Sequence, residues 1–126
     1  MKQIFILVAA ALLFSNLQAQ EDADLVQILP SDAQKCVLPA SPDAIPEEAS
    51  YDDLLNAKKQ VATFQGELQS FRDCLKIAEE NPDNTEGNKA AIVSSFNYSV
   101  EMEERVAERF NAAVRGYKER KAAAEG

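Results

Sequence analysis

The residues able to do chemistry are few in this chain, and their types narrow the choice. Adjacent carboxylates occur at Asp52 and Asp53 and at Glu103 and Glu104. General acid–base work requires such a pair in a cleft where burial moves one pKa; helix caps and solvated faces account for both pairs more simply. Ser94, Ser95 and Ser99 have no imidazole to activate them, because the chain contains no His, and no glycine-rich phosphate loop occurs. Glu21, Asp22 and Asp24 cluster without the ordered ligand spacing of a calcium loop. The expectation is a protein that is not an enzyme and has no metal site or cofactor. With 21 acidic against 13 basic residues, a net charge of −8 and no Trp, it is also a poor candidate for nucleic acid.

Cys36 and Cys74 are the remaining reactive groups, and their meaning depends on the compartment. Lys2 is followed by an apolar run from Ile4 to Phe14 and then by Ser15 to Ala19, the pattern of a secretory signal peptide over residues 1–19. The run is too short to cross a bilayer of about 30 Å, and no later stretch is apolar enough, so no transmembrane segment is expected after cleavage. An even cysteine count in an exported chain predicts a Cys36–Cys74 disulfide. Asn97, Tyr98 and Ser99 match a glycosylation acceptor that lies inside an expected helix.

The elements that position these groups follow from proline placement and periodicity. Residues 20–49 are acidic and carry Pro30, Pro39, Pro42 and Pro46, which leaves no room for a useful helix and predicts an extended segment. A helical hairpin is expected over 50–121. Its first helix, about 51–80, opens on a Ser50–Asp53 cap and stops at Asn81, Pro82 and Asp83. Its second, about 89–121, follows a polar loop, and residues 122–126 form a tail.

Leu54, Ala57, Val61, Phe64, Leu68, Phe71, Leu75 and Ala78 alternate in steps of three and four, the a/d spacing of a heptad seam. Val93, Phe96, Val100, Glu103, Ala107, Phe110, Val114 and Tyr117 do the same, broken only by Glu103. An antiparallel hairpin sets Leu75 against Phe96, Val61 against Phe110 and Leu54 against Tyr117. It also brings Glu47, Glu48, Asp52 and Asp53 beside Arg115, Lys118, Arg120 and Lys121. Glu103, opposite Leu68, is expected to bend outward or to meet a cation from a partner.

Cys74 occupies a g position bordering the same groove as Ile92, Ser99, Val106 and Ala113. The segment from Cys36 to Ser50 reaches about 40 Å when extended, enough to run back along the groove from Cys74 to Tyr51, about 35 Å. Val37, Leu38, Ile45 and the proline rings are then expected over Val106 and Ala113. The fold class is therefore all-α: a coiled-coil-like two-helix hairpin with an N-terminal segment stapled to its first helix.

Cys36, the Pro39, Pro42 and Pro46 run, Phe71 to Leu75, and Arg109, Phe110, Asn111, Arg115, Tyr117 and Lys118 resemble a group of small exported proteins of Gram-negative bacteria that carry no assigned function. The resemblance covers about residues 36–120 and implies a periplasmic or secreted location without naming an activity or a site residue. The expected role is a non-enzymatic interaction or structural module of the cell envelope. Leu55, Ile77, Tyr98 and Met102 lie off the seam and form its candidate protein-partner surface. The arm residues Leu25, Val26, Ile28 and Leu29 are expected to order on binding. The alternative is docking of Arg105, Arg109, Arg115, Lys118, Arg120 and Lys121 onto anionic lipid or polymer.

Overall fold

The computed structural model describes residues 23–126; the expected signal peptide, Glu21 and Asp22 lie outside them. Among the described residues three helices have both ends defined: α1 (Ser31–Gln34), α2 (Tyr51–Glu79) and α3 (Glu86–Glu125). No strand occurs among the described residues. α2 and α3 pack side by side in opposite directions, with the Tyr51 and Tyr117 ring centroids 6.3 Å apart at the open end.

α2 begins where the sequence places it because Ser50 and Asp53 close a reciprocal cap. The Asp53 N–H donates to Ser50 Oγ (3.1 Å) and the Ser50 N–H donates to Asp53 Oδ2 (2.9 Å). These bonds, the Ser50 backbone first and its side chain second, hold the Asp53 carboxyl below its ordinary pKa. A depressed folded-state pKa means that the cap's contribution is complete above the unfolded aspartate value and is lost as pH falls through the folded one. In an acid titration of stability, Asp53→Asn should remove that step from the low-pH limb. Ser50→Ala keeps the backbone donor and loses the side-chain one, so it should shrink the same step without abolishing it.

At the other end Asn84 Nδ2 donates to the carbonyls of Ala78 (2.9 Å) and Glu79 (3.3 Å), satisfying groups that the last turn leaves open. α3 starts at Glu86 rather than near Lys89. Thr85 and Asn88 form a second reciprocal cap, both bonds 3.0 Å, and Gly87 sits inside the first turn instead of in the loop. The helix continues to Glu125, beyond the expected end near Lys121, through Ala122, Ala123 and Ala124, which have high helix propensity.

On α2 the expected seam is the buried one: Leu54, Ala57, Phe64, Leu68, Phe71, Leu75 and Ala78 are buried and Val61 is half-buried. Such side chains contribute roughly 1.5–3 kcal/mol each when fully buried. The axial register also agrees with expectation, since Leu75 clusters with Ile92 and Phe96, and Phe64 and Leu68 with Val106 and Met102. α3, however, is turned about its own axis. Its buried positions include Ile92, Ser99 and Val106, while Val93 at the head of the expected seam is 50% exposed. The Ile92 row borders both α2 and the N-terminal segment, so burial on two sides draws it inward and turns the Val93 row out.

The N-terminal segment is docked but not wholly extended. Pro30 ends an extended stretch with φ −67° and ψ 159°, and α1 follows as one short turn. Ala33 of α1 is buried among Phe71, Leu75, Ala78 and Ile92. Asn81 Nδ2 donates to Asp32 Oδ2 (3.0 Å) and Asn88 Nδ2 donates to the Ile28 carbonyl (2.7 Å), so the arm is held against the hairpin's loop end within this chain. From Cys36 the chain runs back along α2 as a strap, tied by the Cys36–Cys74 disulfide (Cα–Cα 5.6 Å) and by the Asp43 N–H donating to Gln60 Oε1 (3.2 Å).

Arg120 closes the strap's far end by donating to the carbonyls of Glu47 (3.0 Å) and Ala49 (2.9 Å). The expected ion pairs there do not form: no carboxylate of Glu47, Glu48, Asp52 or Asp53 lies within 4.0 Å of a basic group among the described residues. Backbone carbonyls occupy the Arg120 guanidinium instead. The expected groove filling is partial as well. Pro42, Ile45 and Pro46 flank Val106 and Ala113, but Val37 is 79% exposed and Leu38 lies farther along, toward Tyr98.

Candidate functional site

The strap and α3 diverge enough to leave two hollows along one side of the molecule. The first, about 360 Å³, lies beside the disulfide; Leu29, Ala33, Leu38, Phe71 and Leu75 give it apolar walls, and Gln34, Ser94, Ser95 and Tyr98 supply polar groups. The second, about 340 Å³, lies between Pro42–Glu47 of the strap and Val106, Arg109, Ala112 and Ala113 of α3. Each has the size and lining of a small ligand or side-chain site. Large apolar side chains stand exposed on the segments bounding the first hollow: Ile28 on the arm, Val37 and Leu38 on the strap, and Tyr98 on α3.

The residues singled out as a partner surface do not converge. Leu55 and Ile77 are both exposed on α2 but stand about 33 Å apart along its axis. Met102 is half-buried and packs against Phe64, Leu68 and Val106. Of the four, Tyr98 lines the first hollow, where its neighbours are Leu29 and Leu38. Strap residues entered the sequence reading as a groove cover, and nothing local in the sequence marks Leu38 as remaining outside.

The basic positions are also dispersed in role. Arg105 bonds within α3, its Nε to the Glu101 carbonyl (3.3 Å) and its Nη2 to the Glu101 carboxylate (3.8 Å). Arg120 clasps the strap, and Arg109 lines the second hollow. Arg115, Lys118 and Lys121 are exposed and have no carboxylate of the described residues within 4.0 Å. Among the carboxylates weighed for chemistry, Asp53 serves the cap and Asp52 and Glu104 are exposed. Among the described residues no group of three or more His, Cys, Asp or Glu could hold a metal. Ser99 is fully buried and its Oγ donates to the Phe96 carbonyl (2.6 Å).

The cation that meets Glu103 comes from the same chain. Arg72 is 8% exposed, and its Nη2 lies 3.3 Å from Glu103 Oε2. Its Nη1 is buried without a hydrogen-bond partner. Arg72 follows the seam residue Phe71 and was readable as a solvated flank; the signal that finds it is the acidic break at Glu103 about one turn along the facing helix. Removing one member of a buried pair strands the other, whereas replacing the buried cation by an apolar side chain removes the desolvation cost. Glu103→Ala should therefore destabilise by about 2–3 kcal/mol, reduced from the fully buried case because Glu103 is partly solvated. Arg72→Met should cost less than about 1 kcal/mol. Urea unfolding of both variants checks the order, and the reverse order would show that Arg72 contributes chiefly through its packing.

No helix among the described residues is long and apolar enough to cross a membrane. No family model, curated protein or solved structure matches the chain.

Proposed function

We propose that the protein is an exported, non-enzymatic interaction module of the cell envelope that receives an apolar side chain of a protein partner in the hollow between Leu38 and Tyr98. The observation that carries this reading is that hollow: apolar walls, a few neutral polar groups, and large apolar residues standing exposed around it. Binding sites for side-chain anchors have this composition, with apolar contact supplying energy and a few polar groups supplying orientation. The disulfide agrees with an oxidising compartment, and residues 1–19 have the pattern of an export signal.

The test is site-specific photo-crosslinking in cells from position 98, with a mass measurement of the mature N-terminus from the same preparation. A discrete protein adduct, lost on Leu38→Asp, is expected from Tyr98 and not from the distant Leu55. An adduct equally strong from both positions, or unaffected by Leu38→Asp, overturns the assignment of this hollow. A mature chain retaining residues 1–19 overturns export.

A second reading rests on Arg115, Lys118 and Lys121, whose charges no carboxylate of the described residues neutralises at close range. It takes the end of α3 onto an anionic lipid surface. Sedimentation with anionic vesicles that disappears at high ionic strength supports it, and binding that persists in salt does not.

A further inference from the structure

The flank of the hairpin opposite the strap carries a heptad row that the monomer covers only in part. Val93, Val100, Ala107 and Val114 recur every seven residues, and the turn of α3 toward the strap leaves them at the edge of the helix pair. Val93 is half exposed and the other three are half-buried. Beside Val93 an open groove of about 240 Å³ runs between Leu75, Ile92 and Phe96, with Lys76 and Glu79 at its rim. The Lys76 ammonium sits 5.8 Å from the Phe96 ring centroid. A lone exposed valine needs no explanation, but an apolar row at seven-residue spacing is what a further helix packs against.

The charges bordering this row decide what covers it. On α2 the adjoining positions are Lys58, Gln65, Arg72 and Glu79, and on α3 they are Asn97, Glu104, Asn111 and Lys118. Arg72 is committed internally to Glu103. The rest leave cations at the open end, where Lys58 and Lys118 are joined by Arg115, Glu104 midway, and a net negative charge toward the loop end, where Glu79, Glu80 and Asp83 outnumber Lys76. All are exposed, and none lies within 4.0 Å of an opposite charge among the described residues. A face positive at one end and net negative at the other is complementary to its own copy reversed.

We propose that two copies of this chain pack flank to flank and head to tail, burying the Val93–Val114 rows in a four-helix bundle with a strap on each outer side. The open-end cations of each copy then face the loop-end carboxylates of the other, as a two-fold axis requires. A parallel pair sets like charges together and is disfavoured. The strap-side hollow stays free, so this association is independent of the partner reading above.

Sedimentation velocity of the purified oxidised protein at about 10–100 µM tests the proposal. A dimer at low salt that weakens in about 1 M salt is expected. The double substitutions Glu79→Lys with Glu80→Lys, and Lys58→Glu with Lys118→Glu, should each weaken self-association about tenfold or more, and an equimolar mixture of the two should restore it. Val93→Ser, which adds no charge, should weaken the dimer several-fold while leaving the Tyr98 crosslink intact. Thermal melts and intact mass of the closed disulfide verify that each variant is folded. A wild-type monomer at about 100 µM in low salt, a dimer strengthened by salt, or one unmoved by all three changes overturns the proposal.

Discussion

Opening the Cys36–Cys74 bridge lowers the melting temperature by about 15 °C or more. The cysteines are 38 residues apart, and tying a loop of that length removes about 4 kcal/mol of freedom from the unfolded chain. A domain this small has total stability on the order of 5–15 kcal/mol, so the loss is a large fraction of it. Native contacts offer little compensation in the strap, because no residue between Val37 and Glu48 is buried. The arm stays pinned through Ala33, so the effect is a weakened domain with a loosened strap rather than a detached arm. Reduced wild type and the Cys36→Ser, Cys74→Ser double variant should melt together, which separates loss of the bridge from any effect of the serine side chains. Melting curves that coincide with and without reductant would refute the staple as a source of stability.

Gly87→Ala should destabilise by about 2–3 kcal/mol, although the substitution ordinarily strengthens a helix by about 1 kcal/mol. A Cβ at this position would overlap the Val26 carbonyl oxygen and stand 2.6 Å from its carbon and 2.9 Å from the Leu25 carbonyl carbon. These are backbone atoms, which cannot rotate aside. Either the arm lifts, giving up the Asn88–Ile28 hydrogen bond and straining the seat of Leu29 and Ala33, or the first turn of α3 shifts. Gly66→Ala is the control, since nothing lies within 4 Å of its Cβ site and it faces solvent. That change should stabilise by about 1 kcal/mol. Denaturant unfolding of the pair decides the matter; equal gains at both positions would mean that the arm does not press on α3.

This opposition of two glycines marks how much of the structure was legible in the sequence. The seam of α2 could be read residue by residue, because α1 packs on the end of the same apolar stripe, at Phe71, Leu75 and Ala78, that faces α3, so both contacts reinforce one spacing. α3 packs against α2 and the strap together, and a periodicity count does not reveal which of two adjacent rows wins. The Thr85–Asn88 cap was obscured by Gly87, read as a loop residue when its small size serves close approach of the arm. α1 is too short to leave a periodic trace. The disulfide followed from cysteine parity and the leader, and the strap's path from its length, but the position of Leu38 beside Tyr98 depends on how Pro42, Ile45 and Pro46 seat farther along. Glu103 was conspicuous as a break in an apolar series. Its partner Arg72 was not, because a basic residue on a helix flank is ordinarily solvated.

The sulfur bridge also constrains how the chain matures. Cys36 meets Cys74 across the flank of the assembled helices, so the pairing geometry is complete only after α2 and the strap have come together. With two cysteines in the whole chain, one intramolecular pairing exists. Maturation thus calls for an oxidant and leaves a disulfide isomerase nothing to sort, and the misjoined products open to this chain are covalent multimers.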